Sequence, residues 1–119
     1  MAEKQLISLT GIVGSGLCVA SEDGAKVYEA ISDALAAGRD VVISFEGVED
    51  LTSAFVNAAI GRLYDGRISA DELRARLTVQ DASPEDLATL KRSVDRAKEY
   101  FRDPERFRTA TDEVLGDDD

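Results

Sequence analysis

The sequence predicts an α/β fold with a small mixed four-stranded sheet, an N-terminal hairpin and three main helices. Short β-branched runs alternate with stretches of helical periodicity, and three glycines separate the first two runs. The chain has 119 residues, a length typical of one domain with one core. We therefore expect a single domain over residues 1–119, in which 103–119 form a C-terminal extension with an acidic tail.

The first two predicted strands form the hairpin. Residues 6–9 and 17–20 are short apolar runs, and the loop between them contains Gly11, Gly14 and Gly16. Glycines at this density supply the positive φ angles that turns need.

The next helix and strand define the predicted centre of the domain. Helical spacing of apolar residues over 27–35 predicts a helix between a cap at Ser21 and a stop at Gly38. Residues 41–45 form a nearly continuous apolar run, as expected for a strand covered on both faces. The strand–helix–strand order favours a right-handed parallel crossover.

The second half contributes two more main helices and an edge strand. One helix begins at Thr52 or Ser53, and the other begins at Ser83-Pro84 and stops before Pro104. Alternating polarity over 76–80 is typical of an edge strand. Less regular elements are a helical turn within 67–74 and a short helix around 105–115.

Composition excludes several classes of function. The chain has 14 basic and 24 acidic residues, a net charge of −10, which argues against nucleic-acid binding. No apolar run is long enough to span a membrane, so we expect a cytoplasmic protein without a membrane partner. The chain lacks histidine and has one cysteine, Cys18, which we expect to be buried and inert. We predict no enzyme activity, metal or cofactor.

The glycine segment 11–16 has the spacing that opens a phosphate-binding loop. Leu17 and Cys18 stand where that motif has Lys and Ser or Thr, so a hairpin loop is the favoured interpretation. The alternative function is a small-ligand or nucleotide-binding domain that uses this segment together with the helix tip at Ser53.

The residues after the central strand are the best candidates for a site. Glu46, Glu49 and Asp50 follow the carboxyl end of that strand, where open α/β sheets usually bind ligands. They form either a solvated loop or a metal or acid–base site. Thr52 and Ser53 either cap the helix or present a hydroxyl where phosphate is favoured.

Residues 41–55, VVISFEGVEDLTSAF, resemble the core signature of the STAS-like domain family. These are small bacterial proteins related to the STAS domains of anti-sigma-factor antagonists. Residues 16–24 resemble the second strand and first helix of the family, and the order of elements is similar over residues 4–103. Three positions depart from the pattern: Ser44 replaces an Asp, Glu22 an Arg, and Ala58 a Glu.

The resemblance implies a module that docks on another protein. Ser53 falls where the antagonists carry their phosphorylated serine, and Thr52 replaces the preceding Asp. The implied partner is a cytosolic kinase or ATPase of the anti-sigma type, and no oligomeric state is implied. The predicted docking or switch residues are Glu46, Val48, Glu49, Asp50, Thr52, Ser53 and Asn57.

Overall fold

The computed structural model of the chain describes residues 3–102. Its elements, in chain order, are β1 (Lys4–Ser8), α1 (Leu9–Val13), β2 (Leu17–Cys18), α2 (Ser21–Ala36), β3 (Asp40–Ser44), β4 (Asp50–Leu51), α3 (Ser53–Ala59), a 3-10 helix (Gly61–Tyr64), α4 (Ala70–Arg76), β5 (Leu77–Gln80) and α5 (Pro84–Arg102). The predicted short helix at 105–115 and the acidic tail lie outside the described residues.

The strands form two small parallel sheets. One has the order β1-β3-β5, and the other pairs β2 with β4. The α/β class is therefore confirmed, and so is the edge position of β5. The single four-stranded mixed sheet is wrong, because β2 joins β4 instead of the larger sheet and every pairing within residues 3–102 is parallel.

The predicted N-terminal hairpin is also wrong, and the reason lies in α1. The Ser8 hydroxyl accepts a hydrogen bond from the Gly11 backbone N–H at 3.0 Å and so caps a short helix directly after β1. Leu9 is buried, and Gly14 ends the helix with a φ of 90°. This glycine therefore terminates a helix rather than reversing a hairpin. The chain then leaves β1 and enters β2 parallel to a different strand.

The predicted central strand lies in the middle of the larger sheet, but the helices within residues 3–102 cover only one of its faces. Ile7, Ile43 and Val79 share a register row, and the first two are buried. On the other face, Val42 is half-buried and its register neighbour Leu6 is 59% exposed. The expectation of a strand covered on both faces therefore does not hold within the described residues.

Helices α2 and α3 form the most closely packed pair. An ideal Cβ on Gly24 would lie 2.5 Å from the Phe55 carbonyl oxygen and 2.9 Å from the Ala58 Cβ. Val27, Ile31 and Phe55 are almost completely buried around this contact. The close approach fixes the position of α3 relative to the centre of the fold, and with it the predicted helix tip.

The other boundaries differ from prediction by a few residues. Helix α3 ends at Ala59, and a 3-10 helix continues the chain to Tyr64. The helical turn expected within 67–74 is a helix of seven residues that begins after a Ser69 cap. Helix α5 begins at Pro84 as predicted, and Asp86 donates its backbone N–H to the Ser83 hydroxyl at 3.0 Å.

Candidate functional site

Thr52 is the residue that caps α3. Its backbone is extended, with φ −111° and ψ 157°, and its hydroxyl accepts the Phe55 backbone N–H at 3.2 Å. The same hydroxyl donates to the Val19 carbonyl oxygen at 2.8 Å. Thr52 therefore ties the tip of α3 to the chain just after β2, and both hydrogen-bonding roles of its hydroxyl are already used.

Ser53 is the first residue of α3 and faces outward. It is exposed, and its hydroxyl has no hydrogen-bond partner among residues 3–102. Asn57, one turn further along α3, is exposed as well. Of the two hydroxyls predicted at this tip, that of Thr52 therefore caps α3, and that of Ser53 is exposed and makes no hydrogen bond with residues 3–102.

Three carboxylates precede the tip. We call Glu46, Glu49 and Asp50 the acidic rim; all three are exposed, and none forms an ion pair with another described residue. Val48 lies within this loop, is half-buried and donates its backbone N–H to the Phe45 carbonyl at 3.0 Å. The loop therefore presents negative charge without an internal counter-charge.

The glycine segment packs beneath the acidic rim. An ideal Cβ on Gly16 would lie 2.6 Å from the Gly47 carbonyl oxygen and 2.8 Å from the Glu49 Cγ. The Gly16 carbonyl accepts the backbone N–H groups of Glu49 and Asp50 at 2.8 and 3.1 Å. Gly16 thus supports the loop by close approach of two backbones, and the use of this segment for a nucleotide stays a prediction.

Ser44, one of the three departures from the family pattern, is buried at the end of β3. Its hydroxyl lies 3.5 Å from an Asp81 carboxylate oxygen and accepts the Glu46 backbone N–H at 3.3 Å. Asp81 adopts a positive φ of 62°, which a non-glycine residue rarely does. No group of three or more metal-ligating side chains is found within residues 3–102.

Sequence reasoning missed a cleft on the other flank of α3. We call it the α3–α5 cleft; its volume is about 660 Å³, and it is lined by Ser53, Asn57, Arg92, Ser93, Asp95, Arg96 and Glu99. The spacing of Arg92 and Arg96 places both on one face of α5, a signal available in the sequence. The position of that face opposite Ser53 depends on how α5 packs, which periodicity does not give.

Two groups outside these surfaces have perturbed acidity. Burial raises the pKa of the Cys18 thiol, and the carboxylates of Asp23 and Asp86 add to the shift. Burial also raises the pKa of Tyr64, whose ring lies 5.7 Å from the Lys98 ammonium. Cys18 is fully buried, as predicted, and a raised pKa disfavours its thiolate form.

The parallel β-strands, the helix tip at the carboxyl end of β3 and the acidic loop before it define a small α/β domain. The comparison with protein-family models matches residues 23–87 to the STAS-like domain of unknown function (DUF4325). The match covers more than half of the chain, and the protein belongs to this family, as the residues of 41–55 predicted. Searches of curated proteins and of solved structures found no match.

The family match covers the acidic rim and the α3 side of the α3–α5 cleft, but not the α5 side of the cleft. It includes the acidic rim, Thr52, Ser53 and Asn57, and it ends before Arg92 and Arg96.

Among the described residues, no helix is both long and apolar enough to cross a membrane.

Proposed function

We propose that this chain is a non-enzymatic regulatory interaction domain of the STAS-like kind. It docks on a cytosolic protein regulator through the acidic rim, Val48 and the exposed side of α3 from Ser53 to Asn57. Thr52 holds the tip in place and does not itself switch. The resemblance to anti-sigma-factor antagonists favours a kinase or ATPase of the anti-sigma type as the partner.

The uncompensated charge of the acidic rim is the observation that carries this proposal. Elsewhere in the described chain, several exposed acids have a basic partner: Glu72 pairs with Arg76 at 3.2 Å and Asp95 with Lys91 at 2.9 Å. Other exposed acids, such as Glu29 and Glu85, also lack an ion pair within residues 3–102; the rim differs because its three unpaired carboxylates are clustered within residues 46–50 beside an exposed helix tip. Unpaired charge of one sign steers a partner of the opposite sign and raises the association rate more than the affinity.

Ser53 is the proposed switch within that surface. A negative charge at Ser53 would add to the acidic rim and require desolvation when a partner packs against the tip. Ser53→Asp is therefore expected to weaken docking, whereas Ser53→Ala is expected to leave it close to the wild type.

Cross-linking in extracts of the native host tests the proposal. Three baits are compared: the wild type, a rim variant with Glu46→Gln, Glu49→Gln and Asp50→Asn, and a control variant with Glu29→Gln, Asp33→Asn and Glu85→Gln. The control removes the same charge from exposed positions outside the rim. The proposal expects cross-links from residues 46–57 to one ATP-binding protein, lost in the rim variant and retained in the control.

The opposite pattern would contradict it. Capture of the same protein by the wild type and the rim variant, or cross-links that map outside residues 46–57, would remove the docking surface from the proposal. Unchanged capture by Ser53→Asp would remove the switch alone.

A further inference from the structure

The α3–α5 cleft contains a buried hydroxyl without a partner. Ser93 is 3% exposed and lines the cleft, and its side chain makes no hydrogen bond to any residue from 3 to 102. Buried polar side chains in native proteins almost always have a hydrogen-bond partner, in the protein, in ordered water or in another bound molecule. The hydroxyl of Ser93 is thus placed for a group that enters the cleft.

Two guanidinium groups lie on the same wall. Arg96 has no ion pair or hydrogen bond with the described residues, and Arg92 makes one long contact of 3.4 Å to the Thr89 hydroxyl. Guanidinium groups bind phosphate through paired, charge-assisted hydrogen bonds. Most of the hydrogen-bonding capacity of these two guanidinium groups is therefore not used in contacts with residues 3–102.

The opposite wall supplies polar groups of the right kind. Ser53 and Asn57 are exposed, line the cleft from α3 and add a hydroxyl and an amide. The cleft also contains the carboxylates of Asp95 and Glu99, which oppose an anion. Asp95 already pairs with the Lys91 ammonium at 2.9 Å, which reduces that opposition.

The size of the cleft fits a small molecule rather than a single water. Its volume of about 660 Å³ lies within the range of ligand pockets, roughly 300–1,000 Å³. We infer that the α3–α5 cleft binds a phosphate group, held by Arg92 and Arg96 with hydrogen bonds from Ser93, Ser53 and Asn57. The phosphate belongs either to a free phosphate monoester or to Ser53 itself.

This inference does not rest on the proposed docking, because the acidic rim lies outside the cleft and the test uses the isolated chain. Arg92, Ser93 and Arg96 also lie beyond the residues that the family model matches. The two surfaces share Ser53 and Asn57, so an occupied cleft alters the side of α3 that a partner contacts.

The free-ligand arm is an NMR titration of the whole chain with inorganic phosphate at constant ionic strength, with chloride as the balancing ion. The wild type is expected to show saturable shifts of the amides over 53–57 and 92–99. Arg92→Gln with Arg96→Gln is expected to weaken binding at least about tenfold, because charged hydrogen bonds are lost. Arg39→Gln with Arg67→Gln removes equal charge from exposed positions outside the cleft and is expected to bind like the wild type.

The second arm separates the two sources of phosphate. In a chain with phosphoserine genetically encoded at position 53, the guanidinium groups are expected to lower the second pKa of that phosphate below its ordinary value of about 6. A ³¹P titration measures the shift, which the Arg92→Gln, Arg96→Gln background is expected to abolish. Saturable binding to the wild type indicates a free ligand; a lowered pKa without such binding indicates Ser53 as the source.

Either result supports a phosphate site. The inference is overturned if the wild type shows no saturable shifts and the phosphoserine pKa is ordinary, or if the arginine variant matches the wild type in both arms. The spread of amide signals in the spectrum of each variant verifies that it is folded.

Discussion

Removal of the Thr52 hydroxyl is the most direct test of how the site is built. In Thr52→Ala the Phe55 backbone N–H loses its cap at 3.2 Å, and the Val19 carbonyl loses a donor at 2.8 Å. Loss of a threonine N-cap costs about 1 kcal/mol. The second bond adds about 0.5–1 kcal/mol, at the lower end because it lies at the surface where water replaces the donor.

The expected loss in the free energy of unfolding is therefore about 1.5–2 kcal/mol. For a domain with a urea m-value of roughly 1–2 kcal/mol/M, this corresponds to a midpoint lower by about 1 M. Urea unfolding followed by circular dichroism measures it. Thr52→Ser keeps both hydrogen bonds and is expected to regain most of the stability.

Ser53→Ala is the matched control at the next position. Its hydroxyl is exposed and has no partner among the described residues, so the change is expected to stay within about 0.5 kcal/mol. Two results would refute the assignment of capping to Thr52. One is a Thr52→Ala variant as stable as the wild type; the other is a larger loss in the free energy of unfolding for Ser53→Ala than for Thr52→Ala. The Ser53 hydroxyl would then be structural and no longer a candidate switch.

Four further predictions concern the core and the cleft. Gly24→Ala is expected to destabilise by about 1–3 kcal/mol in urea unfolding, because the new methyl group meets the Phe55 carbonyl; a gain, as helix propensity alone predicts, would contradict the α2–α3 contact. Ser93→Ala is expected to stabilise the chain by about 1–2 kcal/mol in phosphate-free buffer, since it removes a buried unpaired hydroxyl and favours the helix; a loss would reveal a partner for that hydroxyl. Cys18 is expected to react with a thiol reagent at pH 8 at least about 100-fold more slowly than in urea, and reaction at the unfolded rate would refute its burial. Because the pKa of Cys18 is raised in the folded state, the folded state keeps the thiol proton to a higher pH than the unfolded state does. The free energy of unfolding is therefore expected to fall as the pH rises above about 8.5, and to fall less steeply in Cys18→Ala.

Elements with strong local signals were predictable from the sequence. The β-branched run of β3 and the Ser83-Pro84 start of α5 both lie where predicted. In each case the local sequence preferences and the tertiary packing favour the same secondary structure, so the local pattern is enough to predict the element. The parallel crossover predicted from residues 17–20 through α2 to β3 does not form within one sheet, because β2 pairs with β4 and the parallel neighbour of β3 is β1.

The hairpin failed because two local signals competed. Gly11, Gly14 and Gly16 favour turns, but Ser8 is placed to cap a helix and Leu9 has a core position to fill. The cap and the burial outweigh the low helix propensity of one internal glycine, about 1 kcal/mol. Sequence reasoning counted the glycines and did not weigh the serine before them.

The candidate site was likewise predictable from the sequence only in part. At the tip of α3 the sequence restricted the capping residue to Thr52 or Ser53, and only the extended backbone of Thr52 decides between them. The acidic rim was visible because its residues are contiguous. Its lack of counter-charges was not visible, since an ion pair depends on residues distant in the chain.

The α3–α5 cleft shows why tertiary packing carries information that periodicity lacks. The spacing of Leu87, Leu90, Val94, Ala97 and Phe101 predicts one apolar stripe on α5. Leu90 and Val94 pack against the core as this stripe predicts, whereas Leu87 is 47% exposed and Ser93, outside the stripe, is 3% exposed. An ideal Cβ on Gly61 would lie 3.6 Å from the Ala97 Cβ, so α5 approaches the 3-10 helix at a residue of the predicted stripe. The packing of α5 also brings Ser93, Arg92 and Arg96 to the cleft that Ser53 lines from α3. Periodicity places Ser93 outside the apolar stripe, so its burial at the cleft follows from how α5 packs against the rest of the fold, which the sequence pattern does not give.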